Sequence, residues 1–575
     1  MNPDVFFKNF ELLADAPNGV QKLRELILQL AVMGKLVGQD PNDEPASVLL
    51  EKIEAEKKRQ IKEKLIRSES FAPIKEDELF FKIPANWEWI RLGQIGDWGA
   101  GSTPNRKNPD YYDGTTKWFK SGELNDGYII ESEEKITDLA LKECSLRLNK
   151  KDDVLIAMYG ATIGKVAILD TEATTNQAVC ACTCFTGVYN RYLFFLLKAY
   201  LKYFASQGAG GAQPNISRIK IVNTVAPLPP LAEQKRIVSK VDELMALCDK
   251  LEARRQKKQE IQSKLNSAAL DKMLSAENQE EFEQNWQRIC ENFDILYDNP
   301  ENVGKLRQAI LQLAVQGKLV EQNPEDEPAS VLIEKIEAEE KKLLKEGKIQ
   351  KAKNLQTVDV EEIPYNIPNG WLWIRFGKIA PHIEAGWSPM CEKRPKEGEE
   401  WGVLKISAVS WDVFNPSENK ALPSNLNPRP EYEVKPNDFL MSRANTSELV
   451  GKSVIVEDTI PKLMISDKVL RLFFSSYSFK KYYNIFNNSQ TARFYYAKEA
   501  SGTSSSMKNI SREVIYNMPV PLPPLEEQKR IFVKVEQLMG LCDELESKLR
   551  KSREDSGKLM ETVVRGLLEG GAAEI

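Results

Sequence analysis

The chain has 575 residues, 42% of them apolar and 28% charged, with a net charge of −5 and eight cysteines. That length supplies several hydrophobic cores without a disulfide framework, and the composition excludes a largely disordered or collagen-like chain. No apolar run reaches the roughly 18 to 20 residues of a membrane span, since the best candidate, 154–169, is broken by Lys165. Residues 1–9 contain Asp4 and Lys8 and no apolar signal core, so a cytoplasmic protein is expected.

From the N-terminus, residues 22–58 read as a helix to about Val37 with an apolar face of Leu23, Leu26, Ile27 and Leu30. A polar break at 39–45 follows, then a charged helix from Ala46, read as a solvated face whose acidic loops are equally suited to contact another subunit. The tract at 83–91 carries Trp87 and Trp89, read as core anchors rather than DNA-stacking rings.

Residues beyond it are rich in β-branched and aromatic side chains, Gly and Pro, which predicts a mixed α/β globule of short strands with helical pieces such as 191–204. Several decoys of catalytic sites occur there. Gly160–Lys165 is one residue short of a Walker A loop and lacks the following Ser or Thr; Gly451-Lys452-Ser453 has that ending, but Thr446 stands where Gly is required. Asn108-Pro109-Asp110-Tyr111 has Asp where the aminomethyltransferase tetrapeptide has Pro. Cys180, Cys182 and Cys184 alternate, as buried residues on one strand face do, and the single histidine, His382, makes neither a Ser-His-Asp triad nor a histidine-rich metal centre. No catalytic residue and no metal site is predicted.

After Pro229-Pro230 a heptad pattern begins: Ile237, Val241, Leu244, Cys248 and Leu251 step by four and three, as in a coiled-coil seam. It predicts a helix of about 40 residues, roughly 60 Å long.

The rest of the chain repeats this plan. Residues 305–341 match 22–58 at 29 of 37 positions, 367–375 match 83–91, and 521–546 match 227–252 at 19 of 26. The second seam is Ile531, Val535, Leu538, Cys542 and Leu545, and Trp371 and Trp373 repeat the tryptophan pair. The protein is two copies of one unit, roughly 1–285 and 286–575, a domain duplication rather than a short-repeat solenoid. Between the matched blocks only landmarks survive: 153–156 with 438–441, Gly164-Lys165 with Gly451-Lys452, and 215–218 with 509–512. Two differing inserts on two near-identical frames make a pseudo-symmetric scaffold presenting two different surfaces; drift under weak constraint is the alternative. Charge follows the same division. Residues 87–226 carry a net +1, 371–520 a net +4 and 461–520 a net +6, so acid lies on the frame and base in parts of the inserts, as DNA-reading modules require.

The frame strings, with WFKSGELN at 118–125, YGATIGKVAIL at 159–169, SRANTSELVGKS at 442–453 and GTSSSMKNISR at 502–512, resemble the specificity (S) subunit of type I restriction-modification systems. The resemblance covers the whole chain, twice. It implies two α/β target recognition domains on a pseudo-two-fold helical frame, with an antiparallel coiled coil of the two long helices. The regions implied are 1–80 (first frame region), 81–230 (target recognition domain 1), 231–285 (central long helix), 286–362 (second frame region), 363–524 (target recognition domain 2) and 525–575 (C-terminal long helix). Each recognition domain is expected to read one half of a bipartite, asymmetric target in double-stranded DNA. The frame is expected to dock two modification (methyltransferase) subunits and, in the restriction complex, two translocase-nuclease subunits. No cofactor is expected on this chain; S-adenosylmethionine, ATP and Mg belong to the partners.

Base-reading positions do not transfer by motif, so candidates are polar and aromatic residues on Gly- and Pro-interrupted loops. In the first insert they are Ser102, Thr103, Arg106, Lys107, Lys117, Lys120, Tyr159, Thr162, Gln213 and Asn215. In the second they are Trp387, Ser388, Lys405, Arg443, Asn445, Thr446, Ser504, Ser505 and Lys508. Arg and Lys suit phosphates or guanine edges, Asn and Gln adenine edges; each is equally readable as a structural turn residue.

Overall fold

The computed structural model describes residues 10–207, 215–347, 355–410, 413–502 and 507–569. They form two compact units, residues 1–258 with 553–575, and residues 259–552. The sequence copies meet at 285, whereas the units divide inside the long helices.

In the first unit, α1 (Gly19–Val32) buries Leu23, Leu26, Ile27 and Leu30 along one face, as their spacing requires. It ends earlier than the apolar pattern, which runs to Val37, because Gly34 turns left-handed (φ +69°) and the Lys35 amide donates to the Leu30 carbonyl at 2.9 Å. After the acidic loop, α2 (Ala46–Lys62) buries Ala46, Leu49, Ile53 and Lys57 and exposes the rest of its charged run.

The first insert contains β1 (Glu88–Arg91), β2 (Gly96–Ala100), β3 (Tyr112–Phe119), β4 (Tyr128–Ile129), β5 (Glu134–Ile136), β6 (Val154–Ala157), β7 (Val166–Leu169), β8 (Thr174–Thr175), β9 (Val179–Cys184) and β10 (Val225–Leu228), with α3 (Asn190–Ala199) after β9. Strands β1 and β10 close it as a two-stranded antiparallel ribbon, Glu88 opposite Leu228. Inside the ribbon lie a five-stranded sheet, β2-β9-β6-β7-β4, and a three-stranded one, β5-β3-β8. Strand β6 has apolar residues on both faces because both are covered. Val154 and Ile156 join the cluster containing α3 and the frame, while Leu155 and Ala157 pack with Phe119 of β3. Cys180 and Cys182 of β9 are buried on the helical side, as the alternation predicts.

The second unit repeats the design with α4 (Pro300–Val315) and α5 (Ala329–Lys345). Its insert contains β11 (Leu372–Arg375), β12 (His382–Ala385), β13 (Gly402–Leu404), β14 (Asn419–Ala421), β15 (Phe439–Ser442), β16 (Ala444–Asn445), β17 (Ser453–Ile455), β18 (Leu463–Met464), β19 (Val469–Phe473), β20 (Lys508–Asn509) and β21 (Pro519–Leu522), with α6 (Lys480–Asn488) and α7 (Gln490–Glu499). The ribbon is β11-β21 and the main sheet β12-β19-β15-β17; the smaller sheets are β14-β13-β18 and β16-β20.

Each ribbon is tied to its frame by the same polar contacts. Trp87 Nε1 donates to Glu233 Oε2, and Trp371 Nε1 to Glu527 Oε2, both at 2.9 Å. Gln39 donates to Glu233 and Gln322 to Glu527. Arg91 pairs with Glu78 and Arg375 with Glu362, Arg236 with Asp43 and Arg530 with Asp326. Trp89 packs against Phe81 and Trp373 against Tyr365, with ring centroids 5.2 Å apart in both. All four tryptophans are therefore frame anchors.

The long helices, Leu231–Leu274 and Leu525–Glu569, have 44 and 45 residues, each about 65 Å of α-helix. The first starts in the first unit and ends in the second; the second does the reverse. Ile237, Val241, Leu244 and Cys248 are buried in the cluster holding α1, with Leu251 packed on it. Ile531, Val535 and Cys542 are buried in the cluster holding α4, with Leu538 and Leu545 packed on it. The far ends insert into the same clusters: Met560, Val563 and Leu567 in the first unit, Leu270 and Met273 in the second. Lys35 Nζ donates to the Leu568 carbonyl at 2.9 Å, as Lys318 Nζ does to those of Leu274 (3.0 Å) and Ala276 (2.9 Å), occupying the acceptors a helix leaves open at its C-terminus. Among the described residues no helix is long and apolar enough to cross a membrane.

Candidate nucleic-acid interface

The strand registers define which positions of the two inserts correspond. Ala100 lies opposite Cys180, and Ala385 opposite Leu470; Trp118 lies opposite Thr174, and Val403 opposite Met464. Counting along the strands, Ser102 and Thr103 correspond to Trp387 and Ser388, Lys120 to Lys405, and Gln177 to Asp467. The turn after the central strand corresponds too, because the amides of Met158 and Arg443 donate to the carbonyls of Ala178 and Lys468, each at 2.8 Å. The ends of β2, β3 and β6 and the turn before β9 thus converge in the first insert. The ends of β12, β13 and β15 and the turn before β19 converge in the second.

Two glycines hold these edges together. A Cβ on Gly101 would run into the Thr175 carbonyl oxygen, and one on Gly386 into that of Ile465. Only glycine allows the backbones to approach so closely.

In the first insert, the Ser102 amide donates to the Thr175 carbonyl and its own carbonyl accepts from Trp118 Nε1, both at 3.0 Å. The Thr103 hydroxyl donates to Gln177 Oε1. The Arg106 guanidinium lies 4.8 Å from the Tyr112 ring centroid and 4.9 Å from that of Trp118, and pairs with Glu134. Lys120 pairs with Glu133 (2.7 Å) and Glu134 (3.1 Å). The hydrogen bonds that Arg106 donates to Glu134 hold it above its ordinary pKa, and those Lys120 donates to Glu133 and Glu134 do the same for Lys120. Lys107 is exposed beside them. Lys117 is engaged instead with Glu131 at 2.9 Å, its side chain only 18% exposed. Tyr159 is exposed and bridges Asn215, while the Thr162 hydroxyl donates to the Tyr159 carbonyl at 2.8 Å. Gln213 lies outside the described residues.

In the second insert, Arg429 stacks over Trp387 at 4.4 Å, and the Ser388 hydroxyl donates to Asp467 Oδ1. Lys405 pairs with Glu418 at 3.4 Å, and the hydrogen bond from Ser407 holds the Glu418 carboxyl below its usual range. Asn445 Nδ2 donates to Ser410 Oγ at 2.9 Å, linking β16 to the segment that follows β13. The Thr446 amide donates to Asn445 Oδ1, and Lys508 Nζ to the Gly502 carbonyl. Arg443 is half-buried at this edge. Ser504 and Ser505 lie outside the described residues.

Comparison with known proteins fits this architecture. Residues 84–263 and 390–552 match the family described as type I restriction modification DNA specificity domain. The chain is 37% identical to the specificity subunit of the type I restriction enzyme EcoEI of Escherichia coli, over 93% of this chain and 92% of that one. It is 31% identical to the EcoAI specificity subunit of Escherichia coli, over the same shares. A solved structure described as "Structural basis underlying complex assembly and conformational transition of the type I R-M system" superposes with a TM-score of 0.50 at 18% identity, covering 85% of this chain and 99% of that one; it shares the fold. The chain belongs to the family of type I restriction-modification specificity subunits and carries two copies of that family's DNA specificity domain.

Proposed function

We propose that this chain is the DNA-reading subunit of a type I complex, each insert reading one half of a bipartite, asymmetric target. The observation that carries this is the contrast between frame and insert edge. The frame contacts are repeated residue for residue, Trp87–Glu233 by Trp371–Glu527 and Arg236–Asp43 by Arg530–Asp326. At the convergent edges the backbone geometry is kept while Ser102, Thr103 and Gln177 are replaced by Trp387, Ser388 and Asp467. A scaffold that holds two readers alike and equips them differently is what two unlike half-sites require. The long helices run in opposite senses between the units, which supports an antiparallel pair setting the gap between half-sites.

Docking of two modification subunits is supported by an exposed surface present in both copies. Glu44, Ser47, Glu51, Lys52 and Lys58 recur as Glu327, Ser330, Glu334, Lys335 and Lys341, all exposed. Apart from the Lys52–Glu44 and Lys335–Glu327 pairs, both 2.7 Å, the side chains of these residues serve no buried contact among the described residues that would explain their identity. On this reading methyl transfer, with S-adenosylmethionine, and ATP-driven restriction reside in the partner subunits, and this chain supplies sequence recognition.

The test is to express the chain with its modification subunit and map methylated adenines by single-molecule sequencing. The expected result is one motif of two unlike halves separated by a fixed unread gap. An assembled complex that binds the methyl donor yet methylates no motif, or one whose halves are identical, would overturn the proposal.

A further inference from the structure

The residue pair at the convergent edge differs in chemistry between inserts whose backbones there match. We infer that Gln177 and Asp467 are corresponding specificity-determining residues, each contacting a base edge in its own half-site, with Thr103 and Ser388 as the positioning residues that aim them. The inference rests on the DNA-reading function proposed above and adds Gln177 and Asp467, which sequence reading does not single out.

Three observations converge on these two positions. First, both side chains are exposed at the tip of a turn whose flanks are rigid, with Val179 and Val469 fully buried on one side and Thr175 and Ile465 on the other. An exposed polar group on a fixed backbone is what base recognition requires, since a loose one would forfeit the entropy of being ordered. Second, a hydroxyl at the corresponding position on the neighbouring strand end donates to each: Thr103 to the Gln177 amide oxygen, Ser388 to the Asp467 carboxylate. The Asp467 amide also donates to Ser388 Oγ at 3.1 Å, which pins the turn. Third, a lysine stands at the corresponding strand end in both inserts, Lys120 paired with Glu133 and Glu134 and Lys405 paired with Glu418, and the exposed Lys468 follows Asp467 directly.

Exposure on a DNA-reading edge sets the chemistry of Asp467. A carboxylate on a surface that approaches phosphates is repelled, unless it accepts a hydrogen bond from a base. Aspartate accepts from the exocyclic amino group of cytosine, or of adenine, and has nothing to give to the carbonyl acceptors of guanine and thymine. Gln177 has both a donor and an acceptor, the pattern that matches the N6 and N7 edge of adenine. The two inserts therefore present different hydrogen-bonding codes from one backbone position.

The experiment maps methylation by the full complex carrying the wild-type chain, Asp467→Asn or Gln177→Ala. Asp467→Asn is expected to change preference at one base pair of one half-site, with discrimination there falling roughly tenfold or more. The other half-site and the gap stay unchanged. Gln177→Ala does the same in the opposite half. Unchanged motifs in both variants, or one variant altering both halves, overturn the inference. If the wild type itself yields no bipartite motif, the underlying reading fails, which is a separate outcome. Should a variant complex methylate nothing, competition binding between duplexes changed one base pair at a time decides. Lost discrimination at a single position supports the inference; discrimination kept at every position, or lost at all of them, overturns it.

Discussion

At the scale of single residues, the contact between Trp87 and Glu233, with its counterpart between Trp371 and Glu527, is where insert and frame are joined. Both carboxylates are buried in the first turn of a long helix and receive an indole and an amide donor. Trp87→Phe removes the indole donor, leaving a buried acceptor short of one bond. The expected loss is about 1–3 kcal/mol in denaturant unfolding. Burial pushes the Glu233 and Glu527 carboxyls above the ordinary value of 4.5, outweighing the Trp and Gln hydrogen bonds that lower it. A raised folded-state pKa means that the native protein holds the proton more tightly. The stability linked to it is complete below 4.5 and is lost as pH rises through the folded value. Glu233→Gln with Glu527→Gln keeps one of the two acceptor oxygens at each site, lowering Tm overall, and removes the titration, so Tm should fall less between acid and neutral pH than in the wild type. A steeper fall would show the sign to be wrong. The tryptophans are legible in sequence because they recur in a matched string. Gln177 and Asp467 are not, because the strands that place them, VCACTC and VLRLF, share only a pattern of burial.

Among the elements, the inserts behave as cassettes clasped by ribbons. Their termini enter and leave side by side through β1 with β10 and β11 with β21, so the frame meets the same two strand ends whatever lies between. Exchanging 87–226 for the corresponding insert of a relative should change one half of the methylated motif and leave the other half and the gap intact. A change in both halves at once would show that the two readers are not independent. Helices and frame strands are read from the sequence through their apolar period and internal repetition. The end of α1 shows where period alone misleads: apolar residues continue to Val37, but the left-handed Gly34 ends the helix, and Leu36, with the half-buried Val37, packs on the same core from a non-helical segment. The strand pairing of the inserts is less legible, since most of their strands have two to five residues and, with both faces covered, carry little alternation.

For the whole molecule, the two copies recognised in sequence are not the two units that fold compactly. The heptad residues predict long helices, but period says nothing of which core receives each end. The far ends of the helices are exchanged, so the first unit is completed by Met560, Val563 and Leu567 and the second by Leu270 and Met273. A chain ending after Ser552 should therefore weaken the first unit, which lies furthest from the cut in sequence. Limited proteolysis is expected to cleave it within 10–258 before it cleaves within 259–552; the opposite order would contradict the exchange.

The exchange also orders the birth of the molecule. Residues 553–569 leave the ribosome only after the entire second unit has been synthesised, yet they fill the core of the first. The reader translated first is thus the one finished last, and an interrupted chain releases no half-complete protein with a fully closed first unit.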